Sequence, residues 1–336
     1  MLNLKERIAI IGGSGFIGRH LVEAFKREFI VRIIDVKEPD IKDPKNVEYV
    51  KIDIRNRNDL ESALRGVDLV IHTAIIQIPR INEEPRLAYE VNFKGTMNVC
   101  EIVEELKDVR GLILTSSWHV YGEKIDFEIR EDVGYFPDRV SPRAFRYTLS
   151  KIAQEAIVRY FHELGNKYYG IIRLATVLGE GMPEKTAANI FIERGIKGQA
   201  ITPFKDSMHR PMLYVDIMDV KKAIYNYAVE IIDSKIPHGR SIDHIYNLMH
   251  PEPITILELA HLIKSLIVEI SKGKINPPVE IIDRGVPALF SAEDKHKIKV
   301  NVEKTIKELG IEKLIHPKET LRRLIAKRYS EIYGAS

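Results

Sequence analysis

Tyr147 and Lys151 stand four residues apart in a stretch, 145-165, whose apolar residues recur at helical spacing, so both side chains fall on one helix face. A phenol titrates at about pH 10 in water, but a fixed cation within a few ångströms favours the phenolate and lowers that value by about one unit or more. Tyr147 beside Lys151 is then a usable general acid/base near neutrality. With 14 tyrosines in the chain, Y-x-x-x-K alone arises about once by accident. Its weight comes from Thr115-Ser116-Ser117, which closes the apolar run Leu112-Ile113-Leu114. Hydroxyls at the carboxyl end of a strand face the crevice where active sites of open α/β sheets form.

These groups need a cofactor beside them, and the chain opens with a place for one. Gly12-Gly13-Ser14-Gly15-Phe16-Ile17-Gly18 follows the β-branched run Arg7 to Ile11 and precedes a helical pattern, Phe16 to Phe25. Gly13, Gly15 and Gly18 satisfy G-x-G-x-x-G, while Gly12, Gly15 and Gly18 satisfy G-x-x-G-x-x-G; both permit a tight turn and close approach of a pyrophosphate. The phosphates would sit over the helix start at Phe16 and Ile17, where free N–H groups and the helix dipole favour anions. Asp35 ends the second apolar run, Ile30 to Ile34, about 20 residues on, where a carboxylate accepts both ribose hydroxyls and repels a 2′-phosphate. The reading is NAD rather than NADP.

Strand-like runs at 47-52, 67-72, 110-116 and 168-174 alternate with helical patterns at 57-65, 84-107 and 145-165. This alternation predicts an α/β fold, a Rossmann-type doubly wound parallel sheet, over an NAD-binding domain, 1-178. Beyond it the pattern loosens into helices near 185-196, 216-232, 255-271, 301-309 and 317-333, with strands near 212-215, 243-248 and 279-282. That predicts a smaller C-terminal α/β substrate lobe, 179-336, with some segments returning to the Rossmann domain. A net charge of +3 over 336 residues, with no Lys/Arg block, argues against a nucleic-acid partner. The absence of an early apolar h-region or an 18-residue apolar span predicts no membrane partner and a cytoplasmic protein. Cys100 is the single cysteine and reads as a core residue; no metal site is expected. Three glutamines, Gln77, Gln154 and Gln199, against abundant Lys, Glu and Ile suggest a thermophilic source.

The glycine run, Asp35, the serine segment and Y-x-x-x-K, in this order, resemble the extended short-chain dehydrogenase/reductase family, and more narrowly its NAD-dependent sugar-nucleotide epimerase/dehydratase branch. The resemblance covers nearly the whole chain. It implies that Ser117, four residues before Tyr121 of Val-Tyr-Gly, bonds the substrate oxygen, that Tyr147 is the acid/base, and that Lys151 is its partner on the nicotinamide ribose. It further implies that Asp53 and Ile54 touch adenine and that Thr73 and Ala74 lie along the cofactor. Asn92-Phe93-Lys94-Gly95-Thr96-Met97-Asn98 matches N-x-x-G-T-x-N, read here as structural: Gly95 for close packing and Asn92 as a buried hydrogen-bonding residue.

On the substrate side the resemblance points to Arg210 and Arg284 for a diphosphate, to Asn189 for the nucleotide base, and to Thr176 where many epimerases carry Asn. Trp118 and His119 replace the Asp-Glu of the 4,6-dehydratases, which disfavours dehydration and leaves His119 as a substrate contact, a proton donor or a structural histidine. Helices 84-107 and 145-165 resemble those that pair in the family's homodimers, with Val99, Ile102, Val103, Ile152, Ile157 and Val158 as apolar residues on several faces. The implied function is an NAD-dependent epimerase of a nucleoside-diphosphate sugar at C4, through a transient keto intermediate. The alternatives are a dehydrogenase or reductase that releases NADH and a non-catalytic NAD-binding regulatory protein.

Overall fold

The β-branched runs form strands that bury both faces. In the computed structural model, which describes residues 5–165 and 167–334, these are β1 (Arg7–Ile11), β2 (Ile30–Asp35), β3 (Val47–Lys51), β4 (Leu69–His72), β5 (Gly111–Ser117), β6 (Tyr168–Leu174) and β7 (Ile245–Leu248). They make one sheet in the order β3-β2-β1-β4-β5-β6-β7, with every pairing parallel. Side chains alternate between two cores because successive strand residues point to opposite faces. Ile8, Ile10, Ile33, Ile71 and Ile113 join Leu21 and Phe25 of the helix α1 (Phe16–Phe25), together with Ile224 and Tyr227 of the helix Ile217–Ile232. Ala9, Ile11, Ile34, Val70 and Leu112 face Leu60, Val99, Ile102 and Val158 on the other side.

Strand order reverses between β1 and β4, and the crevice at the carboxyl ends there is where ligands bind in such sheets. Chain beyond residue 178 supplies both the edge strand β7 and the helix Ile217–Ile232 on α1. The rest of that half forms short pairings, Thr176–Leu178 with Tyr214–Asp216 and Pro211–Met212 with Ile254–Thr255. The strand expected near 279-282 reduces to bridges at Ile201/Val279 and Phe204/Ile282. Pro203 and Pro278 have no N–H to extend a ladder there.

The helix expected over 84-107 runs from Pro85 to Glu105 with a π-helical turn, Glu90–Gly95, set between the α-helical stretches Pro85–Tyr89 and Thr96–Glu105. Of the apolar residues read on several faces of these helices, Val99, Ile102, Val103 and Val158 are buried within the chain, and Ile152 and Ile157 are half-buried. The exposed large apolar residues of these helices are instead Tyr89, Met97, Phe145, Leu149, Tyr160 and Leu164. Cys100 is buried and free. Among the described residues no helix is long and apolar enough to cross a membrane.

Candidate active site

Gly12 follows β1 with φ +82°, and a Cβ on it would lie 2.7 Å from both the Ala74 nitrogen and Thr73 Oγ1. At Gly18 a Cβ would come within 2.2 Å of the Gly12 carbonyl. Glycine is required at both positions, and the backbone saved from side chains can approach a ligand closely. Gly15 caps α1, and its N–H donates to the Gly12 carbonyl at 3.0 Å. The first-turn amides at Phe16, Ile17 and Gly18 have no intrahelical partner. Thr73 Oγ1 donates to the Ile11 carbonyl at 2.9 Å, which fixes the Thr73-Ala74 loop over the turn. Half-buried Asp35 accepts the Ser14 and Lys37 amides, each at 3.0 Å, which turns its carboxylate toward the glycine turn. A glycine cradle with a carboxylate at its rim fits an NAD pyrophosphate and ribose.

The adenine-side residues are more occupied than expected. The Asp53 carboxylate is held by Arg55 at 2.7 Å, and Arg55 also reaches Glu90 at 3.0 Å; they line a cavity of about 500 Å³ with Asn56, Lys94 and Asn98. Ile54 is buried against Gly95, where a Cβ would come within 2.5 Å of its Cδ1. Asn92 accepts the Ile76 amide at 2.8 Å and donates to the Ile76 carbonyl at 3.0 Å, a side-chain insertion beside the π-helical turn. The structural reading of Asn92 and Gly95 fits these contacts.

Ser117 ends β5, and the helix Phe145–Leu164 carries Tyr147 and Lys151 beside it. Lys151 is buried, with Nζ donating to the Thr115 carbonyl at 2.7 Å and to Gln154 Oε1 at 3.0 Å. Gln154 in turn donates to Thr96 Oγ1 at 2.9 Å, and Thr96 meets buried His72 at 3.0 Å. Burial pushes the Lys151 ammonium down to about 7 against the pull of Glu155. The expected lowering of the Tyr147 phenol by Lys151 is not what the geometry gives. Burial raises the phenol above its ordinary value, and the Ser117 hydroxyl partly offsets the rise. The ammonium is directed at β5 and Gln154 instead.

Behind Ser117, His119 and Arg210 meet two groups that no local pattern revealed, Glu123 and Arg143. Ser117 Oγ is 3.1 Å from His119 Nδ1, and His119 Nε2 faces Glu123 Oε1 at 3.7 Å. Arg210 stands 3.6 Å from the same Glu123 oxygen, and Arg143 acts electrostatically on both His119 and Glu123's neighbour Arg210. Trp118 was expected on the substrate side. It is buried in the core, so of the pair only His119 reaches the site. Glu155, on the buried face of the same helix as Tyr147 and Lys151, forms a fully buried pair with Arg173 at 2.8 Å. Its spacing of four from Lys151 was the one sequence signal available for it.

Two expected substrate residues have close neighbours of their own. Arg284 is engaged by Asp206 in a two-point pair at 2.6 and 3.0 Å and stacks over Phe204 at 4.0 Å, with its side chain still exposed. Asn189 is buried and lines a separate cavity of about 580 Å³ with Arg19, Met182 and Arg328, away from Ser117 and Tyr147. Thr176 begins the short strand beside Tyr214 and is half-buried.

Residues 8–238 match the NAD dependent epimerase/dehydratase family. A Methanocaldococcus jannaschii protein named as a candidate UDP-glucose 4-epimerase is 28% identical over 255 residues, covering 73% of this chain and 82% of that protein. The Bos taurus decarboxylating sterol-4-alpha-carboxylate 3-dehydrogenase is 32% identical over 253 residues, 74% of this chain, which spans 66% of the bovine protein. In fold, the UDP-glucuronic acid 4-epimerase of Bacillus cereus, solved with UDP-glucuronic acid and NAD, matches with a TM-score of 0.77 at 21% identity, covering 97% of this chain and 100% of that one. The family match spans the glycine cradle, Asp35 and the Ser117/Tyr147/Lys151 group, and the chain belongs to the NAD dependent epimerase/dehydratase family.

Proposed function

We propose that this chain is an NAD-dependent epimerase of a nucleoside-diphosphate sugar, acting at C4 through a transient keto intermediate. The observation that carries the reading is the meeting of Ser117, Tyr147 and anchored Lys151 at the end of β5, within one crevice of the glycine cradle and Asp35. The dinucleotide would be held by the Gly12–Gly18 turn, Asp35 and the Thr73-Ala74 loop. NAD supplies the hydride acceptor and donor. Tyr147 removes the proton of the reacting hydroxyl and returns it after the ring has turned, and Ser117 holds the same oxygen. Arg210 and His119 line the substrate side, and Lys151 fixes the ribose edge. No net redox change results.

A second reading, net oxidation of an alcohol with release of NADH, is favoured by one feature. Arg284 is tied to Asp206 beside the exposed apolar residues Ile282, Val286 and Leu289, a surface better suited to an apolar substrate than to a diphosphate. The bovine relative is by name a sterol dehydrogenase. The test is to incubate the protein with UDP-glucose, UDP-galactose and their uronic acid forms. Interconversion of one C4 pair without accumulation of NADH is expected, with Tyr147→Phe abolishing turnover while NAD stays bound. NADH formed in proportion to alcohol consumed would establish the dehydrogenase reading instead.

A further inference from the structure

The groups behind Ser117 carry no proton in the reaction as described above, and their geometry is specific. Ser117 Oγ accepts the His119 backbone N–H at 3.3 Å and lies 3.1 Å from His119 Nδ1. The His119 ring meets the Tyr147 ring edge-on, with centroids 5.6 Å apart at 90°, and the Ser117 hydroxyl lies between them, close enough to act on the Tyr147 phenol. Glu123 is buried; its Oε2 accepts the Ser141 amide at 2.7 Å, while Oε1 has no hydrogen-bond partner among the described residues and faces His119 Nε2 at 3.7 Å and Arg210 at 3.6 Å. The charged and titratable groups around His119 are thus Glu123, Arg210, Arg143 and Tyr147.

A carboxylate opposite Nε2 selects the tautomer with hydrogen on Nε2, which leaves the Nδ1 lone pair to accept the Ser117 hydroxyl proton. Burial pushes the Glu123 carboxyl up, but the Arg210 guanidinium and the Ser141 amide, with His119 whenever it is protonated, outweigh it and hold the carboxyl below its ordinary value. Burial keeps His119 neutral, against the pull of Glu123, so it can accept a proton. Lys151 cannot take this part, because its ammonium is directed at Thr115 and Gln154.

We propose that His119, backed by Glu123, is the acceptor into which Tyr147 discharges its proton through Ser117. The Ser117 O–H bond breaks as His119 Nδ1–H forms, and the Tyr147 O–H bond breaks as a new Ser117 O–H forms. The result is a phenolate, a neutral serine and an imidazolium whose charge meets Glu123. Nothing is oxidised or reduced, and the steps reverse when the keto group is reduced. His119 acts through Ser117 and is a positioning residue. The inference rests on the proposed oxidation of a substrate alcohol, whichever alcohol it is.

Two measurements test it. Histidine-selective ¹⁵N NMR of the NAD-loaded protein needs no substrate: the relay requires His119 as the Nε2–H tautomer, changed by Glu123→Gln, and an Nδ1–H tautomer would overturn it. In turnover of UDP-glucose or UDP-glucuronic acid, wild-type kcat should fall as acid protonates His119. His119→Gln should lower kcat about 100-fold with KM within about twofold and abolish that acid limb, and imidazole should restore His119→Ala saturably. A His119→Gln enzyme within about threefold of wild type that keeps the acid limb would refute the relay. Wild-type inactivity on every nucleotide sugar would count against the epimerase reading, leaving the NMR result to decide the relay.

Discussion

Glu155→Gln is the change with the sharpest expected outcome. The Glu155 and Arg173 side chains are 0% and 1% exposed, joined by contacts of 2.8, 3.1 and 3.2 Å, and Glu155 also receives the Ser116 hydroxyl. The amide keeps the shape and removes the charge, which leaves a buried guanidinium without its anion. Losing one partner of such a pair costs about 3–5 kcal/mol. Arg173 keeps the Glu131 carbonyl at 3.0 Å and the Tyr121 hydroxyl, so the lower end, about 3 kcal/mol, is expected. An unfolding entropy of about 2.1 cal/mol/K per residue gives ~0.7 kcal/mol/K for a chain of 336 residues, hence a fall in Tm of about 4 °C. Fluorescence of Trp118, the single tryptophan and a buried one, reports the transition. Glu155 also opposes the burial of Lys151, so its loss should drop the ammonium below about 7 and reduce activity more at pH 7.5 than at pH 6. Replacing both partners, Glu155→Leu with Arg173→Met, should recover most of the stability. A Tm within about 1 °C of wild type for Glu155→Gln would refute the argument.

Asp35 should make NAD bind at least about tenfold tighter than NADP, a difference of about 1.4 kcal/mol, and Asp35→Ala should narrow the gap; equal affinities in equilibrium dialysis would sink the assignment. His162, stacked on His238 at 4.3 Å, accepts the Tyr169 amide on Nδ1, and His244 is held to about 4 by burial, so both fold neutral. Folded values below the ordinary 6.5 mean that the stability is complete above that pH and lost as pH falls from 6.5 toward 4. Urea midpoints should therefore drop by roughly 2 kcal/mol equivalent between pH 7 and 4.5, less so in His244→Gln, and a flat profile would contradict this. Light scattering should report a homodimer closed over Leu149, Tyr160 and Leu164, all exposed here on one face of the helix Phe145–Leu164, and Tyr160→Glu should give monomers. A monomeric wild type at micromolar concentration would end that reading.

What could be read from residue order alone was what is local. The glycine turn, Asp35 and the strand-to-helix switch lie within about thirty residues and follow from hydrophobic period and turn chemistry. Tyr147 and Lys151 were visible by helical spacing, but the direction of the ammonium was not, because it depends on Gln154 and on a carbonyl of another strand. Glu123 was invisible for the same reason: its meaning comes from Arg210, which folding alone brings near. Arg284 looked available until the nearer carboxylate of Asp206 claimed it. The π-helical turn at Glu90–Gly95 was hidden because Asn92, a residue that matched a motif, bonds backwards to Ile76 rather than within its own helix.

The order of the sheet also sets a timetable for synthesis. β6 is complete at residue 174, but its outer neighbour, β7, begins only at Ile245. At about 5–20 residues per second, the ribosome leaves that apolar edge open for roughly 4–14 s. During that interval the nascent chain presents a ready template for another unfinished copy. A chain ending at residue 178 keeps the edge open permanently. It should precipitate on expression rather than yield a free-standing nucleotide-binding half, although the cradle, Asp35 and all three of Ser117, Tyr147 and Lys151 precede the cut.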